Sequence, residues 1–169
     1  MQPIESPSIL ISHPLNIASM SIKVIRASLE HAEVIANFNQ SMALETENKI
    51  LERDVILPGV KMMLEDDSLG FYLVAQHQDS IAGCLGVTYE WSDWRNGLFW
   101  WIQSVFVAPQ HRTRGVFSSM YASVKDQALA DERSCGIRLY VERDNDTAYR
   151  TYTGLGMLET DYRLMEELL

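Results

Sequence analysis

Cysteine is scarce in this chain: Cys84 and Cys135 are its only thiols, both in apolar, strand-like stretches without a paired motif. A disulfide scaffold and the Cys-pair zinc sites are thereby excluded, and the two read as buried free thiols of a reducing compartment. Long apolar runs are missing as well, so nothing reads as a membrane span. The opening stretch, MQPIESPSILISHPLNIASM, lacks the basic start of a secretory signal, and a cytoplasmic protein is expected. Basic charge is in deficit: 14 Lys and Arg against 23 Asp and Glu leave a net charge of −9. That balance disfavours nucleic acid as a partner and suits, at most weakly, the attraction of cationic amines. The four histidines, His13, His31, His77 and His111, stand apart with no second ligand at metal spacing, so no metal site is expected. Neither GxxxxGK followed by Ser or Thr nor GxGxxG occurs.

What remains is ordinary globular composition, 47% apolar and 22% charged in 169 residues, enough for one domain with a full core. Three prolines and no clean periodicity mark residues 1–20 as a flexible extension before a single domain over 21–169. Ile22–Ala27 alternates as a strand. Ser28 reads as the N-cap of a helix reaching Leu44, with an incomplete capping box because His31 stands where Glu or Gln is usual. Residues 54–66 read as a second helix with Pro58 at or near its first turn. Phe71–Gln76 and Ile81–Tyr89 form a hairpin, and Gly83 and Gly86 suggest a bulge or a close approach. After a turn over 91–97 comes a strand, Leu98–Ala108. Strict alternation puts Trp100, Ile102 and Phe106 on one face and Phe99, Trp101, Val105 and Val107 on the other. That strand therefore reads as central and covered on both sides. A helix from Val116, a strand Ile137–Glu142, a helix Asn145–Leu155 stopped by Gly156 and a strand-like tail over 157–167 complete the order β α α β β β α β α β. A mixed, mostly antiparallel sheet flanked by helices on both faces is the α/β arrangement this order supports.

The chemistry concentrates at Gln103–Tyr121. A strand breaks at Pro109, passes Arg112, Thr113, Arg114 and Gly115, and enters a helix at Val116, Phe117 and Ser118. The first turn of a helix carries unpaired N–H groups and partial positive charge, which suit a phosphate. Gly115 lets the backbone approach a ligand, and the arginines add charge-assisted donors. Taken alone, such a turn is also what a loop with two solvated arginines looks like.

This stretch resembles the acyl-CoA loop of the GNAT acetyltransferase superfamily, Arg/Gln-x-x-Gly-x-Gly/Ala after a strand ending in Val-x-Pro. Here it reads Val107-Ala108-Pro109, then Arg112-Thr113-Arg114-Gly115-Val116-Phe117. A second stretch, Asn145, Ala148, Tyr152, Gly156 and Met157, is similar to that family's Asn-x-x-Ala-x-x-x-Tyr-x-x-x-Gly-Phe/Met pattern. Motifs, separation and element order agree over residues 22–167. The resemblance implies a central strand splayed from its neighbour and acetyl-CoA as the donor. The pantetheine arm would lie on the backbone of Val105, Phe106 and Val107, and the pyrophosphate on the amides of Arg112–Phe117 and Ser118. Asn145 and Tyr152 would flank the arm.

The implied reaction is direct transfer of acetyl to a primary amine. The Val107 N–H would stabilise the oxyanion and Tyr152 would protonate the leaving thiolate; Tyr152 can equally be a core residue closing the last helix. Two positions depart from the family pattern. Phe117 replaces a small loop residue, which leaves the amides free if its ring turns into the core. No carboxylate stands on the central strand, so Glu45, Glu47, Glu90, Asp93 and Glu142 are the acidic candidates, Glu90 and Glu142 first. Trp101 is expected beside the acceptor, and Trp91 and Trp94 either wall its pocket or cover a contact between two copies, so a homodimer is left open. The acceptor is a small-molecule or protein amine. A module of another class, binding acyl-CoA as a sensor or partner subunit without acceptor chemistry, fits the same motifs.

Overall fold

A computed structural model describes residues 21–167; the extension expected at 1–20 lies outside them. Five strands, β1 (Ile22–Arg26), β2 (Phe71–His77), β3 (Ser80–Ser92), β4 (Gly97–Val107) and β5 (Ser134–Leu139), make one sheet in sequence order. All neighbours are antiparallel except β4 and β5. Between them run α1 (Ala32–Glu47), α2 (Arg53–Glu65), α3 (Val116–Ala130) and α4 (Asp146–Gly154).

Alternation along the strands sorts their side chains into two cores. Phe71, Leu73, Leu85, Val87, Trp100 and Ile102 meet Val116, Met120, Tyr121 and Val124 of α3. On the opposite face Tyr72, Val74, Cys84 and Phe106 meet Ala32, Ile35 and Ala36 of α1 and Val60 of α2. Burial of each large apolar side chain contributes about 1.5–3 kcal/mol, and the sheet is fixed between its helices by both layers at once.

Strict alternation fails inside β4. Cys84 faces Phe106 while Gly86 faces Gln103, so two residues of β4 oppose one of β3. Ser104 takes φ 51° at this β-bulge. The extra residue reverses the faces: Val105 and Val107 join Trp100 and Ile102 on the α3 side, and Phe106 goes to the α1 side. Nor is the strand covered along its whole length. Over Phe99 the cover on the α1 side consists of the guanidinium groups of Arg138, 3.6 Å from the ring centroid, and Arg95 at 5.1 Å.

Three smaller expectations are corrected. His31 does complete the cap, its Nδ1 accepting the Ser28 N–H at 3.1 Å, because an imidazole nitrogen serves as well as a carboxamide oxygen. Pro58 lies inside α2 rather than in its first turn. Residues 157–167 form no strand. Met157 packs on the α3-side core, but Leu158, Tyr162, Leu164 and Met165 are exposed, so alternation there has no buried face to serve.

Candidate active site

β4 and β5 pair only from Leu98 to Ile102. Beyond that point β4 continues to Val107 with β3 alone at its side, and the flank β5 has left, the candidate cleft, carries no strand pairing. The Ala108 N–H donates to the Ala82 carbonyl at 2.9 Å, toward β3. Because backbone groups alternate in direction along a strand, those of Phe106 also face β3, while those of Val105 and Val107 face the cleft. Phe106 is therefore withdrawn from the backbone groups expected to meet a ligand; its ring packs against Phe38 of α1, 5.1 Å between centroids.

The turn after β4 holds its backbone in a sparsely populated region. Thr113, a β-branched residue, has φ 61°, and Gly115 has φ 77°. Thr113 Oγ1 donates to the Arg112 carbonyl at 2.7 Å. In α3 the first helical bond runs from the Ser119 N–H to the Gly115 carbonyl, so the amides of Val116, Phe117 and Ser118 have no helical acceptor. A Cβ on Gly115 would meet nothing within 4 Å, so the backbone is open beside the glycine that precedes them.

The two arginines divide. Arg114 is exposed and forms no ion pair among the described residues. Arg112 is committed elsewhere: its Nη2 pairs with Glu45 at 2.6 Å and its Nε donates to the Val107 carbonyl at 2.9 Å.

Phe117 turns its ring to the α3-side core, so the amide beside it is unobstructed. The same ring stands edge-on to Tyr152 of α4, 5.4 Å between centroids, bringing the second motif against the start of the first. The Tyr152 hydroxyl has no hydrogen-bond partner among the described residues, and burial pushes its pKa above the ordinary phenol value. Asn145 is the N-cap of α4, its Oδ1 accepting the Ala148 N–H at 3.0 Å; its side chain positions Tyr152's helix.

The acceptor candidates do not gather at one place. Glu90 and Trp101 share the α1 side of β3 and β4, where Glu90 accepts from Trp101 Nε1 and from Arg138 Nη1, the latter at 2.9 Å. Trp101 stacks on Tyr140, 4.4 Å between centroids, and Gln103 donates to Thr88 beside them at 2.6 Å. Trp91 alternates to the opposite face, and Trp94 is 84% exposed in the β3–β4 turn. Glu142 lies beyond β5, its side chain accepting the Asp144 N–H. Arg138 and Tyr140 escaped sequence reading, although their alternation with Ile137 and Leu139 was the available signal. No group of three His, Cys, Asp or Glu among the described residues could hold a metal ion.

A cofactor with a phosphate-bearing tail and an amide-containing arm fits this set of donors: open helix-start amides, a free arginine, and strand amides on an unpaired flank. Residues 32–157 match the acetyltransferase (GNAT) family. A possible acetyltransferase from Clostridium difficile 630 is 42% identical, with 88% of this chain and 97% of that one covered and a TM-score of 0.81. A GCN5-related N-acetyltransferase from Ralstonia eutropha JMP134 shares the fold at 15% identity, covering 87% and 99%, TM-score 0.73. An aminoglycoside acetyltransferase from an uncultured soil metagenomic sample does so at 19%, covering 89% and 100%, TM-score 0.70. A search of the curated proteins found no match.

Proposed function

The chain belongs to the GNAT acetyltransferase family, and from that premise we propose that it transfers an acetyl group from acetyl-CoA directly to a primary amine. The observation that carries this reading is the cleft between β4 and β5, which leads from the open amides of Val105 and Val107 to the unpartnered amides that begin α3. The amides of Val116, Phe117 and Ser118, with Arg114 and the turn at Thr113 and Gly115, hold the phosphates. When bound, acetyl-CoA supplies an acyl group already activated as a thioester.

The strand residues do the rest. Val107 is nearer the phosphate turn and Val105 nearer the bulge. A ligand anchored at the turn meets Val107 first, so the N–H of Val105, rather than that of Val107 expected from the sequence, is the donor left for the carbonyl oxygen that gains charge. One fixed donor of this kind is worth on the order of 10²–10³ in rate. Tyr152, neutral and without a competing partner, donates its phenolic proton to the departing sulfur. Trp101, Gln103 and Tyr140 form the aromatic and polar floor over which the amine arrives. Cys84 is buried, with its thiol pushed up to about 12 by desolvation, and serves no nucleophilic role.

One observation favours the alternative of a binding module: Glu45 and Glu90 are each tied to an arginine, leaving neither free as a base. Calorimetry with acetyl-CoA, followed by thiol release with a panel of amines, separates the readings. Binding with release supports the enzyme, and binding without release on any amine supports the module. No heat at millimolar ligand, together with Arg114→Glu leaving the ligand-induced thermal shift unchanged, overturns both.

A further inference from the structure

We propose that Glu45, at the end of α1, is a positioning residue for the donor cleft, acting through Arg112 on the Val107 carbonyl. This rests on the acyl-CoA reading of the cleft. The C-terminal half of β4 has lost β5 on one flank, and a strand held from a single side frays readily at its end. On its β3 side the end is held by the Ala108–Ala82 bond and by close approach to Gly83, whose Cβ position lies 3.3 Å from Val107 Cα. On the cleft side Arg112 is the one donor that the described residues bring to the Val107 carbonyl, at 2.9 Å.

Arg112 is itself part of the phosphate turn, and one guanidinium edge cannot choose its direction unaided. Glu45 takes Nη2 at 2.6 Å and leaves Nε for Val107, while the Phe106 ring lies under the group, 5.6 Å from centroid to carbon. The planar fork of arginine allows both contacts at once, and a lysine could make only one of them. The tie thus joins three parts of the site: the end of α1, the last residue of β4, and the turn that receives the phosphates. Both partners are 45% exposed, and exposed pairs add little to global stability, so the contribution of this pair lies in where it holds the strand end.

Four variants test the assignment: Glu45→Gln, Arg112→Lys, Arg112→Glu and the exchanged pair Glu45→Arg with Arg112→Glu. Acetyl-CoA affinity is measured by calorimetry, Tm by thermal melting, and exchange of the Ala108 amide by NMR without ligand. Glu45→Gln and Arg112→Lys are expected to weaken acetyl-CoA binding about tenfold and to speed Ala108 exchange severalfold, with Tm nearly unchanged. The exchanged pair restores the charges but cannot donate to Val107, so it should recover any Tm lost in Arg112→Glu without recovering affinity or slow exchange. Wild-type affinity and exchange in Glu45→Gln, or full recovery in the exchanged pair, overturns the proposal. Absence of acetyl-CoA binding by the wild-type chain overturns the acyl-CoA reading itself, and the ligand-free exchange data tell the two failures apart.

Discussion

Phe117 of α3 and Tyr152 of α4 meet edge to face with ring centroids 5.4 Å apart. This is the contact by which α4 is seated against the start of α3. It brings a residue of the second motif against the start of the helix that belongs to the first. Tyr152→Phe keeps the ring and removes only the proton. It should lower turnover by about 10²-fold while leaving the affinity for acetyl-CoA within about twofold by calorimetry. Because burial raises the Tyr152 pKa, the neutral phenol persists beyond the ordinary tyrosine range. The alkaline fall in rate should then begin above about pH 10 and be absent from the residual activity of the variant. Equal turnover in the two forms would remove Tyr152 from the reaction.

Glu90 invites a role as general base, yet it accepts from both Trp101 and Arg138. Its oxygens are thus engaged in holding the Trp101 indole and the Arg138 guanidinium, and neither is directed at an incoming amine. Glu90→Gln should therefore keep turnover within about threefold, far short of the 10²–10⁴ that a general base contributes, and leave the acid limb of the pH–rate profile in place. Its effect should fall on the acceptor KM, since the carboxylate fixes the orientation of Trp101. A loss of 10²-fold in kcat with a displaced acid limb would restore Glu90 as the base.

Most of the framework was legible from pattern because it depends on local periodicity. The first four strands, α1, α2 and the two motif helices all satisfy a period of two or 3.6 with caps or turn residues beside them. The bulge at Ser104 was not legible, since neither glycine nor proline marks it, and one uncounted residue exchanges the faces of Val105, Phe106 and Val107. The commitment of Arg112 to Glu45 was hidden for another reason. The partners lie 67 residues apart in the chain, and only the placing of α1 beside the end of β4 brings them together. The tail over 157–167 misled in the reverse sense: alternation was present, but no neighbouring strand or core face was there to use it.

A glycine at position 83 suits a bulge or a close approach, and its environment shows the approach. A Cβ there would sit 2.5 Å from the Phe106 carbonyl oxygen, backbone that cannot give way without moving β4. Gly83→Ala should cost about 2–3 kcal/mol, as overpacked sites do, lowering Tm by about 5–10 °C in a chain of this size. Acetyl-CoA binding should weaken too, because Val107 pairs with Gly83. Gly59 in α2 is the control: its Cβ position is empty, so Gly59→Ala should leave Tm unchanged or raise it slightly. If the two variants melt alike, close approach of the strands is not why glycine stands at 83.

His111 gives the turn after β4 a dependence on pH whose sign can be worked out. Its ring is buried just before Arg112, edge-on to His77 with centroids 5.2 Å apart, and Nε2 lies 3.4 Å from Ser80 Oγ. Its Nδ1 and that of His77 have no partner among the described residues. Burial lowers the His111 pKa first, and the nearby His77 and Arg114 lower it further. The folded chain therefore resists a proton that the unfolded chain accepts from about pH 6.5 downward. The contribution to stability is complete above that pH and is lost as pH falls through 6.5 toward the lower folded value. Melting from pH 8 to pH 5 should show Tm declining below about 6.5, and His111→Gln should flatten that decline without affecting the alkaline side. Should the decline keep its midpoint and size in His111→Gln, the proton is taken up elsewhere, and the paired imidazoles beneath the turn do not set its stability.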